Sequence, residues 1–274
     1  MKVKLYTVYH KLFVIPSHEF IIPIQVGKKN NPIDLKISGD DTGDNISVRN
    51  PNFCELTALY WIWKNDNEYD IVGLNHYRRF LKLGRQNIFS SSKYNISSNE
   101  INTVSNNIEK SINLLEKYEW ILPYPSHLHN SLKTQYCNKH IPEEWEILIQ
   151  VISEKYPQYM PFVEKTFNKS NVLQPYNMFI TDRKNFEKYA DWVFSILFEV
   201  DRRISTSNYP FQARAIGYMA ERLFTLYMSK NEFKIKYVPI YFITENEDIV
   251  SKSVFELSLD IYYKYIWKIF KKII

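Results

Sequence analysis

Tyr69 to Phe80 reads Tyr-Asp-Ile-Val-Gly-Leu-Asn-His-Tyr-Arg-Arg-Phe, and this stretch decides the fold that we predict. The apolar run from Ile71 to Leu74 predicts a buried β-strand, and Gly73 within it allows another backbone to approach closely. The run ends abruptly in the polar segment Asn75 to Arg79. Because ligands of open α/β sheets bind just past the carboxyl ends of the strands, the stretch predicts a central strand that leads into a binding site.

The polar end of this strand has the composition of an anion site. His76 is followed closely by two adjacent arginines, Arg78 and Arg79. The planar fork of donors on arginine matches the oxygens of a phosphate group. We therefore expect these residues, with Asn75, to bind a phosphate or diphosphate. The alternative is a basic strand end that faces water and holds its arginines in salt bridges.

Composition and charge exclude several classes of protein. The net charge is only +5 and the lysines are spread along the 274 residues, so nucleic-acid binding is not expected. Cys54 and Cys137 form neither a disulfide framework nor a metal motif, which fits a reduced cytoplasmic compartment. Met1 to Phe13 lacks the pattern of a signal peptide, and no apolar run is long enough to span a bilayer.

The remaining elements alternate between strands and helices, which predicts an α/β protein. Neither a Gly-x-Gly-x-x-Gly nor a Walker loop follows the first strand. We predict strands at Lys4 to Tyr9, Ile21 to Gly27, Trp120 to Pro125, Pro175 to Ile180 and Ile235 to Ile243. We predict helices at Asn50 to Asn65, Asn107 to Tyr118, Glu143 to Lys155, Arg183 to Val200 and within Tyr209 to Met228, and a loop at Leu83 to Asn106. Glu55, at the start of the first helix, can face a ligand loop.

The segment Ser38 to Ser47 contains three carboxylates, Asp40, Asp41 and Asp44, among glycines and other turn-forming residues. These carboxylates can coordinate a metal ion or accept hydrogen bonds from ribose or sugar hydroxyls. The spacing and the missing terminal glutamate exclude an EF-hand. A solvated loop with Asx turns is the alternative.

The polar stretch between His127 and His140 predicts a mobile loop that closes over a substrate, with His140 as a candidate lid residue. The His-x-His pair at His127 and His129 also permits a metal site, although no other ligand has persuasive spacing.

On the last predicted helix, Glu221 follows Arg214 by seven positions, so the two residues share a helix face. Glu221 is therefore either a general base held beside arginines or a member of a buried structural ion pair.

The C-terminal segment Leu259 to Ile274 has lysines on one side of a predicted helix and apolar residues on the other. A basic amphipathic helix is typical of a membrane-surface anchor or a partner helix, and a terminal helix docked on its own domain is the alternative. We therefore expect a catalytic or binding domain at residues 1–245 and a tail at residues 246–274.

With these residues in view, the chain resembles the DUF4422 family of capsular and exopolysaccharide biosynthesis proteins. The matching pieces are Leu5 to Lys11, Ile22 to Gly27, Asp41 to Ser47, Asn50 to Asn65, Val72 to Arg79, Tyr176 to Ile180 and Tyr209 to Leu223. The resemblance is weaker from Trp120 to His140, where the family tends to carry a Tyr-x-His-type element and this chain has Gln135 to His140.

The resemblance implies a bacterial glycosyltransferase with a GT-A-like fold, in which helices flank a mixed, mostly parallel central sheet. It implies transfer from a nucleoside-diphosphate sugar to a lipid-linked glycan, and galactofuranose transfer is one activity associated with the wider group. On this basis we expect a protein at the inner face of the plasma membrane. The alternative is a non-catalytic carbohydrate-binding or assembly factor at the membrane, and a sugar phosphotransferase is a weaker third hypothesis.

In such an enzyme we expect donor-binding residues at three places. They are Tyr6, Thr7 and His10 around the base; Asp41, Asp44 and Asn45 at the ribose or donor sugar; and Asn75, His76, Arg78, Arg79 and Arg214 at the diphosphate. If the reaction inverts, Glu221, Asp41 or Asp44 would deprotonate the acceptor hydroxyl. We expect His140, Asn177 and Gln212 near the acceptor or lid.

The resemblance leaves the metal question open. GT-A enzymes usually hold a divalent metal with an Asp-x-Asp pair at the end of the central strand, where this chain carries Asn75 to Arg79. Cationic side chains can replace the metal by neutralising the leaving diphosphate. Alternatively, Asp41 and Asp44 with His76 bind Mn²⁺ or Mg²⁺ from another direction.

Overall fold

The computed structural model describes residues 1–84 and 91–245. In these ranges the strands are β1 (Val3–Tyr9), β2 (Ile21–Gln25), β3 (Ser38–Gly39), β4 (Ile71–His76), β5 (Arg79–Leu81), β6 (Lys93–Ser97), β7 (Trp120–Pro123), β8 (Ser126–His127), β9 (Val172–Leu173), β10 (Phe179–Asp182), β11 (Ile235–Val238) and β12 (Ile240–Thr244). The α-helices are α1 (Asn50–Phe53), α2 (Leu56–Asn65), α3 (Ile108–Ile112), α4 (Leu132–Lys139), α5 (Pro142–Lys155), α6 (Met160–Val163), α7 (Arg183–Arg203), α8 (Pro210–Ala213) and α9 (Ala215–Asn231).

The central sheet is mixed and mostly parallel, which confirms the predicted fold class. Its strand order is β11-β7-β10-β4-β1-β2-β3, and β10 runs antiparallel to both of its neighbours. β4 lies between β1 and β10, so the stretch quoted first is a central strand. In the parallel pair of β1 and β4, Val8 lies opposite His76, and the carboxyl ends of the two strands therefore meet at one edge.

Both faces of the sheet are covered by apolar side chains, as a central parallel strand requires. One face packs on α2, α5, α7 and α9 around residues such as Leu74 and Trp120. The other face packs around Leu5, Ile121 and Ile180. At Gly73 an added Cβ would lie 2.8 Å from Leu5 Cδ2 and 2.9 Å from the Phe179 carbonyl oxygen. The predicted close approach of another backbone at Gly73 is thus confirmed.

The helix predicted from Asn50 to Asn65 is two helices, and the break lies at Cys54. Cys54 has φ 52° and ψ −130°, a conformation that cannot continue a helix. The Asn50 side chain donates to the Cys54 carbonyl oxygen at 2.7 Å, and the Thr57 hydroxyl donates to it at 3.1 Å. The break turns α2 away from α1 and leaves Glu55 at the start of α2.

Two further predictions of local structure were wrong. The segment predicted as a loop from Leu83 to Asn106 contains β6 and a 3₁₀ helix at Ser98–Ser105. The single strand predicted from Ile235 to Ile243 is two strands separated at Pro239: β11 pairs with β7, whereas β12 pairs with β5 and β6. β5, β12 and β6 therefore extend the sheet beside the end of β4.

The predicted tail, with its amphipathic helix at Leu259 to Ile274, lies outside the described residues. Within residues 1–84 and 91–245, no helix combines the length and the apolar character that crossing a membrane requires.

Candidate functional site

A two-residue turn after β4 brings His76 and Arg79 to the same side of the sheet. Tyr77 and Arg78 form the turn, and His76 pairs with Arg79 across it. The Leu81 backbone N–H donates to Asn75 Oδ1 at 3.2 Å, which ties the end of β5 to β4. Since residues that pair across an antiparallel ladder share a face, the side chains of His76 and Arg79 point the same way.

Arg78 and Arg79 are adjacent in sequence but have different surroundings. Arg78 forms a salt bridge with Glu245, and its guanidinium lies 5.1 Å from the Phe13 ring centroid. The Arg79 guanidinium lies 4.8 Å from the ring centroid of Tyr176 and 5.4 Å from that of Phe242. Its Nε is buried and has no hydrogen-bond partner among the residues that the structure describes.

Ion pairing separates two arginines from the others. Among the arginines of residues 1–84 and 91–245, only Arg79 and Arg214 have no carboxylate within salt-bridge distance. Arg214 instead donates from Nε to Cys54 Sγ at 3.3 Å. Arg79 is half-buried and Arg214 is exposed. A guanidinium without a carboxylate is suited to bind an external anion.

The turn before β10 carries two consecutive residues in the left-handed region. Tyr176 has φ 72° and Asn177 has φ 51°, which corrects the prediction that the strand begins at Pro175. Non-glycine residues in this region cost about 1–3 kcal/mol each and persist only where their surroundings hold them. Such outliers cluster at functional sites.

Three side chains from different elements hold this turn. The Tyr176 N–H donates to Glu221 Oε1 at 2.6 Å. His76 Nε2 lies 2.7 Å from the Tyr176 carbonyl oxygen, and because a carbonyl only accepts, the proton is assigned to Nε2. Asn177 Nδ2 donates to Glu55 Oε1 at 2.8 Å. The turn thus joins β4, α9 and the start of α2.

Burial changes the proton affinities of the two central groups. It raises the pKa of Glu221 above its ordinary value, while Arg222 and the Tyr176 N–H act in the opposite direction and Glu55 adds to the rise. It lowers the pKa of His76, a change that the charges of Arg79 and Arg214 reinforce. A carboxylate whose pKa is raised toward neutrality is suited to accept a proton from a substrate.

The geometry is compatible with both predicted roles of Glu221, as a general base and as a member of a structural ion pair. Its nearest arginine is Arg222, whose Nη1 lies 3.6 Å from Glu221 Oε2, rather than Arg214. Arg222 is also bonded to the Tyr218 carbonyl and to Gln135, so its charge is shared among several acceptors.

His10 lies at the same edge of the sheet, just after β1. Its ring is 4.9 Å from the Tyr77 ring. The pKa of His10 is lowered by burial and then by the charges of Lys11, Arg214, His76 and Arg78. The structure therefore brings together most of the predicted diphosphate residues with His10, Asn177 and Glu221.

Other predicted residues lie elsewhere. Tyr6 is buried, and its hydroxyl donates to Asp66 at the end of α2. Thr7 is fully buried, and Asn75 is almost so. These three side chains build the core and the hairpin.

The loop of residues 38–47, which we call the Asp41 loop, contacts the middle and the end of α2. The Tyr60 hydroxyl donates to Asp44 Oδ1 at 3.0 Å, and the Asn65 amide donates to the Asp44 carbonyl oxygen at 2.7 Å. Asn45 Nδ2 donates to the carbonyl oxygen of Asp41 at 3.2 Å. Among the described residues, no hydrogen bond joins Asp41, Asp44 or Asn45 to Glu55.

Asp41, Asp44 and His76 were predicted as possible ligands of a divalent cation. These three side chains are not gathered, and no group of three or more His, Cys, Asp or Glu side chains suited to a metal occurs in the described part of the chain.

His140 and Gln212 contact each other beside this site. The His140 ring stacks at 4.2 Å on Tyr218 and at 5.3 Å on Phe211, and its Nδ1 lies 3.3 Å from Gln212 Oε1. The loop predicted around His140 contains α4, and in this respect the prediction was wrong. Burial lowers the pKa of His140 to about 4, so its ring is neutral at pH 7.

Glu55 is the carboxylate to which sequence reasoning gave no specific role. The sequence placed it at a helix start near a ligand loop, but its partner Asn177 is 122 positions away. The helix break at Cys54 is the feature that would have identified Glu55 as a site residue, and no local sequence pattern predicts that break.

The fold and these contacts define an α/β protein with a cationic site and two carboxylates at the carboxyl edge of its central sheet. The chain belongs to the family described as a domain of unknown function, DUF4422, whose model matches residues 4–232.

The chain is similar to the apo structure of WbbM, a bifunctional glycosyltransferase, with 32% sequence identity and a TM-score of 0.82. The match covers 93% of this chain and 48% of that chain, so this protein spans about half the length of WbbM. A comparison with curated proteins gives no significant match.

Proposed function

We propose that this protein is a glycosyltransferase that uses a nucleoside-diphosphate sugar, with uridine-based hexose donors, including UDP-galactofuranose, as the first class to test. Its acceptor would be a lipid-linked glycan in capsular or exopolysaccharide synthesis. The family membership and the similarity to half of a bifunctional glycosyltransferase support this proposal. The observation that carries it within the site is the guanidinium of Arg79 at the carboxyl end of the central strand, whose buried Nε has no hydrogen-bond partner among the described residues.

The leaving diphosphate needs positive charge around its oxygens. Arg79 and Arg214 supply two guanidinium groups that have no carboxylate of the described residues within salt-bridge distance. Arg78 contributes less, because Glu245 already pairs with it. Fixed cations aimed at the developing charge lower the barrier without reorganisation at the moment of reaction.

The acceptor hydroxyl needs a base, and Glu221 is the best placed carboxylate. In an inverting reaction its carboxylate removes the hydroxyl proton while the acceptor oxygen bonds to the anomeric carbon. The bond from that carbon to the diphosphate oxygen breaks, and the electron pair leaves on the diphosphate. Glu55, next to Asn177, is placed to accept hydrogen bonds from sugar hydroxyls. We assign the base to Glu221 rather than to Asp41 or Asp44, because Glu221 bonds to the Tyr176 turn and Asp44 bonds to Tyr60 of α2 instead.

The deciding experiment is calorimetric titration of UDP and a panel of nucleotide sugars, first with manganese and then with EDTA. We expect binding that survives EDTA and is strongly weakened when Arg78 and Arg79 are both replaced by alanine. Binding that needs manganese would instead favour a divalent cation as cofactor. If no nucleotide binds, the proposal fails and the carbohydrate-binding alternative gains weight.

We also propose that residues 246–274 hold the enzyme on the inner membrane surface, because Leu259 to Ile274 combines lysines with an apolar stripe. Deletion of residues 259–274 should then abolish binding to anionic liposomes. Liposome binding that remains after the deletion would contradict this.

A further inference from the structure

Most of the exposed large apolar side chains belong to a few loops. Residues 1–84 and 91–245 contain eight such side chains, and seven of them lie in the loops after β1, β2 and β3 or at the start of α8. These seven are Leu12, Val14 and Ile15 after β1, Ile33 after β2, Val48 after β3, and Tyr209 and Phe211 at α8. The eighth, Met1, precedes β1. We call the seven residues the apolar rim.

The parallel strands explain why these loops gather at the edge that carries the site. β1 pairs in parallel with β2 and with β4, and β2 pairs in parallel with β3. Parallel neighbours have their carboxyl ends at the same edge of a sheet. Each loop that leaves β1, β2 or β3 therefore starts at the edge where β4 leads into His76 and Arg79.

Hydrogen bonds join three of the rim loops to one another. Asn31 Nδ2 donates to the His10 carbonyl oxygen at 3.0 Å, which connects the loop after β2 to the loop after β1. Asn30 Nδ2 donates to the Val48 carbonyl oxygen at 3.1 Å, which connects the loop after β2 to the segment after β3. Leu12, Ile33 and Val48 are therefore carried by neighbouring loops.

The segment of Tyr209 and Phe211 is tied to the same loops through α1. Asn52 Nδ2 in α1 donates at 2.8 Å to Thr206 Oγ1, three positions before Tyr209. α1 itself begins directly after the 3₁₀ helix that contains Val48. The whole apolar rim thus consists of linked loops beside the candidate site.

The described chain ends beside the apolar rim. The Glu245 carboxylate forms salt bridges with Arg78 and, at 3.6 Å, with Lys11, the residue before Leu12. Residues 246–274 continue from this point, and Leu259 to Ile274 contains four lysines among apolar and aromatic residues. Since that segment is the proposed membrane contact, the chain enters it next to the rim.

The composition of the rim loops suits the interface of an anionic bilayer. The loop of Ile33 also carries the exposed Lys29, and the exposed Arg214 follows Phe211 by three positions. Apolar side chains of this kind insert at the boundary between headgroups and acyl chains, while cations attract anionic headgroups. A protein partner needs shape complementarity across all of these loops, whereas a fluid lipid surface adapts to them.

We propose that the apolar rim inserts into the headgroup region of an anionic membrane and turns the candidate site toward the bilayer. Leu12, Ile33, Val48 and Phe211 contact the lipid, and Lys29 pairs with anionic headgroups. This contact acts together with residues 246–274, because stable membrane binding generally takes two weak anchors rather than one. The orientation brings a lipid-linked acceptor to the site, a consequence that rests on the proposed glycosyltransferase function. Insertion of the rim itself does not depend on that function.

Exposed lysines at the two edges of the sheet supply a matched control. Lys29 lies in the rim loop after β2, and its N–H donates to Ser47 Oγ at 3.2 Å. Lys184 is also exposed, but it lies in the first turn of α7. α7 follows Asp182, which pairs with Ile71 at the amino end of β4. Lys29→Gln and Lys184→Gln therefore remove the same charge at opposite edges of the sheet.

The test measures co-sedimentation of the full chain with vesicles of phosphatidylcholine and phosphatidylglycerol. The variants are Leu12→Ser combined with Phe211→Ser, Phe211→Trp alone, Lys29→Gln, and Lys184→Gln as the control. Leu12 is 72% exposed and Phe211 is 54% exposed, so these replacements disturb the fold little, and unfolding curves establish that each variant is folded. All variants keep residues 246–274, so differences between them report on the rim.

We expect the double serine variant to bind vesicles roughly tenfold more weakly, because two apolar side chains no longer insert. Phe211→Trp should bind at least as tightly as the unchanged protein, since tryptophan favours the membrane interface. Lys29→Gln should weaken binding by roughly fivefold, and Lys184→Gln should leave it unchanged. Hydrogen exchange of residues 10–15 should slow when vesicles are added to the unchanged protein.

The proposal is overturned if the unchanged protein does not bind the vesicles or if the double serine variant binds them equally well. It is also overturned if Lys184→Gln weakens binding as much as Lys29→Gln. A dimer in solution that the double serine variant converts to a monomer would overturn it too, because a second copy of the chain would then cover the rim.

Calorimetric titration of UDP into the same proteins separates this result from the donor function. UDP affinity should be the same in the unchanged protein and in the double serine variant. Vesicle binding that depends on the rim, in a protein that binds no nucleotide, would refute the glycosyltransferase function and leave the membrane contact standing. UDP binding together with vesicle binding that ignores the rim would do the reverse.

Discussion

The backbone N–H of Tyr176 donates to Glu221 Oε1 at 2.6 Å, and this bond ties the left-handed turn before β10 to helix α9. The ring of the same Tyr176 stacks on Arg79. Tyr176 therefore contacts both the proposed base, Glu221, and the proposed diphosphate-binding residue, Arg79, and sets their relative orientation. This coupling makes the two functions separable only by substitutions that keep the turn in place.

Replacement of Glu221 by glutamine keeps an acceptor for the Tyr176 N–H but removes the proton acceptor. We expect the transfer rate to fall by about 10²- to 10⁴-fold, which is the usual contribution of general base catalysis. UDP affinity should not change, because the group does not contact the diphosphate in our proposal. Single-turnover kinetics together with calorimetry check both parts, and a variant that transfers sugar at the original rate would exclude Glu221 as the base.

Replacement of Arg79 by glutamine removes from the proposed diphosphate site a charge that forms no salt bridge with the described residues. A hydrogen bond to a charged group contributes about 1.5–3 kcal/mol, so UDP binding should weaken by about 10- to 100-fold. The control is Arg49→Gln, because Arg49 forms a salt bridge with Asp201 instead. Equal UDP affinities of the two variants would show that Arg79 does not bind the diphosphate.

Replacement of Glu55 by alanine leaves the buried Asn177 amide without its acceptor. An unsatisfied buried donor costs about 1–3 kcal/mol, so the free energy of unfolding should fall by that amount. Glu55→Gln keeps an acceptor and should lose less. The exposed Glu68, which pairs with Lys2, serves as the control, and Glu68→Ala should change stability by less than about 1 kcal/mol. Urea denaturation measures all three, and similar losses for Glu55→Ala and Glu68→Ala would argue against a role of Glu55 in holding the turn.

His140 should make the protein sensitive to acid. Its pKa is lowered from 6.5 to about 4, so the unfolded chain takes up a proton at a higher pH than the folded protein does. Stability from this group is therefore complete above pH 6.5 and is lost as the pH falls toward 4, with a loss of about 2 kcal/mol at pH 5.

His140→Phe keeps the stacking with Tyr218 and Phe211 and cannot titrate. Its free energy of unfolding should change less between pH 7 and pH 5 than that of the unchanged protein. His129 is exposed, and His129→Gln should retain the full dependence. Denaturant titrations at the two pH values decide the matter, and identical pH dependence in His140→Phe and the unchanged protein would rule out this origin.

Substitutions at Asp40 and Asp44 in the Asp41 loop should have different effects. Asp40 is fully buried and accepts bonds from the Gly27 and Lys28 N–H groups and, at 2.5 Å, from the Ser47 hydroxyl. Asp40→Ala leaves these donors unpaired and should destabilise the protein by about 3 kcal/mol or more. Asp44→Asn should leave UDP binding unchanged. Thermal unfolding tests Asp40→Ala, and calorimetry tests Asp44→Asn. Loss of UDP binding in Asp44→Asn would show that this loop takes part in donor binding.

Local sequence patterns were sufficient to predict the elements in which the regular spacing of apolar residues continues from end to end. β1, β4, β7, α5 and α7 were predicted with boundaries close to those observed, because alternation or helical spacing of apolar residues depends only on neighbours in sequence. The helix break at Cys54 could not be predicted in this way. It depends on where the Cys54 carbonyl finds hydrogen-bond donors after the chain has folded. The Tyr176 turn was missed for the same reason.

The sequence by itself determined that a central strand ends in His76 and two adjacent arginines, and that such residues suit an anion. Only the tertiary structure decided that the two arginines differ. Arg78 meets Glu245, 167 positions away, whereas Arg79 meets the rings of Tyr176 and Phe242 and no carboxylate among the described residues. Charge compensation depends on distances through space, and those distances are fixed by how remote segments pack rather than by their order along the chain.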